Sequence, residues 1–203
     1  MNKPKITIID TGCANLSSVK LAFDRLGVDT TVSFDPDDIR KADKLILPGV
    51  GTAVAAMQML RERRLVDLIR EARQPLLGIC LGMQMLATLS EEKMNSGENV
   101  PCLDLVKARV GLMQTGGLRL PHMGWDQITA TADHPLLKGI PDGSYFYFVH
   151  SYAMEVCEGT VATCDYGGKF TAVVQHGNFT GTQFHPEKSG ATGARLLTNF
   201  VEM

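Results

Sequence analysis

Apolar residues in this chain follow two rhythms. Residues 5–9 form a short apolar run that stops at Asp10, and Leu16, Val19, Phe23 and Leu26 then recur at helical spacing behind Asn15, whose side-chain oxygen suits a helix cap. Gly27 ends that helix. Residues 28–34 read as a second strand, Asp35-Pro36-Asp37-Asp38 opens a short helical piece, and 44–47 is a third strand. A long helical region follows over 52–72, apolar at 54, 57, 60, 65, 68, 69 and 72, with a break near Arg63-Arg64. The apolar run after Pro75 is a fourth buried strand, and positions 81, 85, 86 and 89 carry a helical stripe. Strands alternating with helices predict right-handed crossovers and a doubly wound α/β fold, its mostly parallel sheet covered by helices on both faces.

After Leu103 the rhythm changes. Short strands over 105–110, 126–130, 145–149, 160–164, 170–175 and 178–184 suggest a meander or a β-rich layer joined to that sheet, and so an α/β fold with an antiparallel β extension. The polar stretch 91–100, with Asn95-Ser96-Gly97, reads as a surface loop, and 190–203 closes the chain as an amphipathic helix. No repeat, linker or low-complexity segment interrupts residues 1–203, so one domain is expected.

Composition narrows the function classes. Of the 203 residues 44% are hydrophobic, without an apolar run of membrane-spanning length, and the N-terminus lacks the apolar core and cleavage site of a signal peptide. A cytoplasmic location is therefore expected. A net charge of −2 leaves no footprint for nucleic acid. Five cysteines, at 13, 80, 102, 157 and 164, form no C-x-x-C pair and argue against disulfides or a zinc site; all except Cys80 read as core or bystander thiols. Neither metal nor cofactor is expected.

Cys80 stands where the fourth strand must reverse into a helix, with Gly78 and Gly82 two residues to either side. This G-x-nucleophile-x-G spacing makes a turn too tight for flanking side chains, and it holds the central residue in a strained conformation with its side chain clear of the sheet. At a helix N-terminus, unpaired N–H groups favour a negative sulfur, and the amide of Leu81 can donate to an oxyanion. Pro48-Gly49-Val50-Gly51 ends the neighbouring third strand, so the amide of Val50 or Gly51 is a candidate second donor.

A thiolate nucleophile needs a proton carrier. Among five histidines, His185 follows the strand 179–184 and precedes Pro186-Glu187, where the Glu187 carboxylate can reach back to hold the imidazole tautomer.

Gly78-Ile-Cys80-Leu-Gly82-Met-Gln84 followed by Gln183-Phe-His185-Pro-Glu187 resembles the class I glutamine amidotransferases, which use a Cys-His-Glu triad. Within that class the chain is similar along its length to the HisH glutaminase subunits of imidazole glycerol phosphate synthase. The further matches are Asp10-x-Gly12-x-x-Asn15-Leu16-x-Ser18-Val19, Pro48-Gly49-Val50-Gly51, Pro121-His122-Met123-Gly124-Trp125, Tyr147-Phe148-Val149-His150-Ser151-Tyr152 and Lys188-Ser189. Thr11 and Ala14 depart from the tyrosine and glycine of many members. The resemblance implies glutamine as substrate, with Gln84, Glu92 and the backbone near Ser151 holding its amino-acid end. It also implies a heterodimeric partner, the (β/α)8-barrel cyclase subunit HisF. The Asn15 and Trp125 segments are candidates for the docking face.

Overall fold

The computed structural model describes residues 4–12 and 14–203. Met1–Lys3 and Cys13, which the sequence assigns to the leading segment and to the turn before the first helix, lie outside the described residues. The chain runs β1 (Ile6–Ile9), α1 (Leu16–Arg25), β2 (Thr30–Ser33), α2 (Pro36–Arg40), β3 (Lys44–Gly49), α3 (Ala53–Glu62), α4 (Leu65–Arg70), β4 (Leu76–Cys80) and α5 (Leu81–Met85). It continues with β5 (Ala87–Lys93), β6 (Asn99–Pro101), β7 (Val106–Leu112), β8 (His122–Gln127), β9 (Thr129–Ala130), β10 (Tyr145–His150), β11 (Tyr152–Met154), β12 (Thr160–Asp165), β13 (Lys169–His176), β14 (Phe179–Thr182) and α6 (Gly190–Glu202).

Eight strands form the central sheet in the order β2-β1-β3-β4-β14-β13-β12-β9. The first five are parallel and the last three antiparallel, so the expected doubly wound sheet with an antiparallel extension is what forms. Alternation along the strands feeds two cores. Ile6, Ile8, Ile46, Leu77 and Ile79 meet α1 and α6 through Val19, Phe23, Leu196 and Phe200 on one face. Ile9, Leu45, Leu47 and Leu76 meet α2 to α5 through Ile39, Met57, Leu60, Ile69 and Met85 on the other. No helix among the described residues is long and apolar enough to cross a membrane.

The helix ends follow local chemistry. Asn15 Oδ1 accepts from the Ser18 amide at 3.3 Å, and Asp35 Oδ1 accepts from the Asp37 amide at 2.7 Å. The expected break at Arg63-Arg64 separates α3 from α4, with Arg64 left-handed at φ +56°.

Three expectations are corrected. The helix after Cys80 does not reach position 89: the carbonyls of Met85 and Leu86, which a longer helix would need, accept instead from the amides of Leu103, Leu105 and Val106. Residues 87–93 thus become a strand. The polar stretch 91–100 is an antiparallel hairpin of β5 and β6 rather than a loop, and it belongs to a second sheet ordered β11-β7-β5-β6. Finally, β14 is no part of the antiparallel extension; it lies parallel to β4, with Thr182 opposite Ile79. The strands β8 and β10 pair as a separate antiparallel ribbon, with Trp125 opposite Tyr147 and His122 opposite His150.

Candidate active site

Cys80 ends β4 with φ +53° and ψ −110°, a strained backbone held by parallel partners on both sides. The flanking glycines are required by contact. A Cβ on Gly82 would lie 1.7 Å from the Leu47 carbonyl oxygen, and one on Gly78 would lie 2.8 Å from Gly82 backbone atoms. The reversal brings the thiol, 7% exposed, to the floor of a cavity of about 580 Å³.

His185 comes to the same place from the far end of the chain. The parallel pairing of β14 with β4 carries the chain past the elbow, and the His185 amide is tied to the Tyr147 carbonyl at 2.9 Å. The Ser189 hydroxyl donates to the His185 carbonyl at 2.6 Å, which fixes the turn through Pro186. His185 Nδ1 donates to Glu187 Oε1 at 2.7 Å, both side chains being buried. The other Glu187 oxygen is buried and takes no hydrogen bond among the described residues. Burial opposes a charge on His185, but its hydrogen bonds to Cys80 and Glu187 and the negative charge of both outweigh that cost. Its pKa is pushed up to about 10.

The cavity gathers nearly every residue singled out from the sequence. Val50, Gly51, Cys80, Leu81, Gln84, Glu92, Ser151 and His185 line it, while Glu187 stands behind His185. Gly49 lies opposite Cys80 in the β3–β4 register, so Val50 and Gly51 extend over the sulfur's side of the sheet. Gln84 is buried, donating to the Tyr152 carbonyl at 2.7 Å and to Gln183 Oε1 at 2.9 Å. Glu92 Oε2 accepts from the Ala53 amide at 2.8 Å, at the start of α3. Burial raises its pKa, partly offset by the amides of Ala53 and Val54.

Gln183 is the residue that sequence reasoning missed. Its Nε2 lies 3.7 Å from Cys80 Sγ and donates toward it, while its Oε1 accepts from Gln84. The available signal was its place two residues before His185, on the same face of an extended segment. The remaining described thiols stay away from this chemistry: burial pushes Cys102 and Cys164 up to about 12.

The glutamine amidotransferase class-I family model matches residues 7–203. The chain is 56% identical over 204 residues to imidazole glycerol phosphate synthase subunit HisH 1 of Vibrio vulnificus strain YJ016, covering 100% of each. It is 58% identical over 198 residues to the HisH subunit of Yersinia pseudotuberculosis, covering 98% of this chain and 99% of the relative. Among solved structures, one described as a glutamine amidotransferase superposes with a TM-score of 0.73 at 21% identity, covering 97% of each chain. PurLQS from Thermotoga maritima gives 0.72 at 18% identity, covering 99% of each chain. These two show the shared fold.

Proposed function

The chain belongs to the class I glutamine amidotransferase family, and on that footing we propose that it is the glutaminase subunit of an imidazole glycerol phosphate synthase, acting in histidine biosynthesis. Residues 1–203 act as one amidotransferase domain in the cytoplasm. The observation that carries the reading is the meeting of a strained, glycine-bracketed Cys80 at the end of β4 with the buried His185–Glu187 pair in the turn that follows β14, the parallel neighbour of β4.

Cys80 Sγ attacks the side-chain carboxamide carbon of glutamine, and its proton rests on His185. Glu187 holds the Nδ1 proton of His185, which leaves Nε2 for the sulfur and the leaving group. Amides of Leu81 and of Val50 or Gly51 receive the oxyanion of the tetrahedral intermediate. His185 passes the proton to nitrogen, ammonia departs, and a γ-glutamyl thioester remains. Water attacks that thioester while His185 takes its proton; glutamate leaves and the sulfur is restored. Gln84, Glu92 and Ser151 hold the amino-acid end of the substrate, and the Gln183 N–H favours the negative sulfur.

Ammonia released into water at neutral pH becomes ammonium, which is no nucleophile, so the product must be handed over directly. The partner is the (β/α)8-barrel cyclase subunit HisF, which uses ammonia and PRFAR to make imidazole glycerol phosphate and AICAR. The β8–β10 ribbon supports such docking: its outer face exposes Met123, Trp125 and Tyr145, while its inner face buries Phe146, Phe148 and His150. Asn15 is exposed nearby and shares a small cleft with Val50 and Glu187.

The test is the complex with the cyclase subunit. Cys80→Ala abolishes glutamine-dependent synthesis and glutamate release, while complex formation and synthesis from added ammonia persist. A Cys80→Ala complex with ordinary glutaminase activity removes the mechanism.

A further inference from the structure

We infer that Asp126, His122 and His150 are positioning residues for bound glutamine, forming a run of hydrogen bonds along the inner face of the β8–β10 ribbon to the carbonyl that orients Gln84. This rests on the proposed role of Gln84 as a substrate contact. Asp126 Oδ2 lies 3.3 Å from His122 Nε2, and His122 Nδ1 lies 3.3 Å from His150 Nε2. His150 Nδ1 in turn donates to the Tyr152 carbonyl at 2.9 Å, the same oxygen that accepts from Gln84 Nε2 at 2.7 Å. Two donors on one oxygen fix the Gln84 amide, and through Gln183 they reach the Cys80 sulfur. The rings are clamped. His122 is stacked against both Phe148, at 4.9 Å, and Tyr166, at 4.0 Å, and His150 meets the Phe170 ring at 5.1 Å.

A carbonyl can only accept, so His150 Nδ1 carries its proton. Burial, with His122 and His185 nearby, lowers the His150 pKa to about 3, so Nε2 is bare and needs a donor. His122 Nδ1–H supplies it. A neutral His122 then turns a bare Nε2 toward the Asp126 carboxylate, acceptor against acceptor. Its other neutral tautomer satisfies Asp126 but sets two bare nitrogens against each other. All three links are made only when His122 holds both protons.

Burial lowers the His122 pKa below its ordinary value, against the pull of Asp126. The other polar groups facing this run are Tyr166 stacked on the ring, His185 beyond His150, and Cys164, which lies within the field of Asp126. The run is therefore complete on the acid side and loses a link as pH rises through the His122 titration. The Asp126 side chain is 31% exposed and lies on the same face of the ribbon as His122 and His150, opposite Phe146 and away from Trp125.

The test measures, over a pH series, glutamine KM and kcat for the complex with the cyclase subunit. Wild-type KM rises with pH through the His122 titration. In Asp126→Asn the amide donates to the bare Nε2 of a neutral His122, so KM stays low and flat. His122→Phe keeps the ring stack but breaks the run, and KM rises about three- to tenfold, with a smaller change in kcat. Imidazole nitrogen NMR of the full chain finds both His122 nitrogens protonated on the acid side of that step. An Asp126→Asn profile that tracks wild type, an unchanged KM in His122→Phe, or a His122 that is neutral throughout overturns the inference. A wild-type complex that does not hydrolyse glutamine removes the functional reading and this inference with it, and is told apart by that result.

Discussion

At Cys80 the backbone sits at φ +53°, a region that costs a non-glycine residue about 1–3 kcal/mol and persists only where its surroundings enforce it. Here the enforcement is the tight approach of Gly82 to Leu47. Gly82→Ala places a methyl 1.7 Å from a carbonyl oxygen and should destabilise by about 3 kcal/mol or more in denaturant titration. Gly51→Ala meets no atom within 4 Å but takes on φ +94°, so its cost should stay near 1 kcal/mol. Glu187→Gln keeps the volume but gives up the carboxylate that fixes the His185 tautomer and helps raise its pKa; kcat for glutamine should fall on the order of 10²–10⁴, and the thermal midpoint near neutral pH should fall as well. The elbow and the His-Pro-Glu turn were legible because each is a local pattern, a few residues whose spacing alone dictates a tight turn. Gln183 was not, because its contact with the sulfur exists only through the pairing of β14 with β4 across 103 positions.

At the scale of elements, caps and punctuation carried the N-terminal half. Asn15, Asp35 and the Arg63-Arg64 break each act within a few residues, and the structure keeps all three. The stretch after Met85 was illegible for the opposite reason: its apolar spacing suits a helix, yet residues 102–106 take the carbonyls that the helix would use. Long-range pairing there overrides local periodicity. The α3–α4 junction offers a direct test. Arg64 is left-handed at φ +56° without a side-chain cap bond, so Arg64→Gly should relieve the strain and stabilise the chain by about 0.5–1 kcal/mol, read as a raised thermal midpoint.

For the molecule as a whole, its histidines pull stability in opposite directions. His185 is raised from 6.5 to about 10, so its contribution is complete below 6.5 and is lost as pH climbs toward 10. His150 is lowered to about 3 by burial, and His122 and His134 are also lowered by burial, so their contributions are complete above 6.5 and are lost as pH falls. Cys102 and Cys164, held near 12 against an ordinary 9.0, add to the alkaline loss. The thermal midpoint should therefore peak near pH 6.5 and fall on both sides. His185→Gln should remove part of the alkaline limb; an unchanged limb would contradict this assignment of the charge.

The place of β14 between β4 and β13 also orders events during synthesis. A ribosome completes the turn that carries Cys80 more than a hundred codons before it reaches His185, the base of the proposed mechanism. Under the proposed mechanism, a product terminated before His185 carries a thiol without its proton carrier and should not cleave an amide.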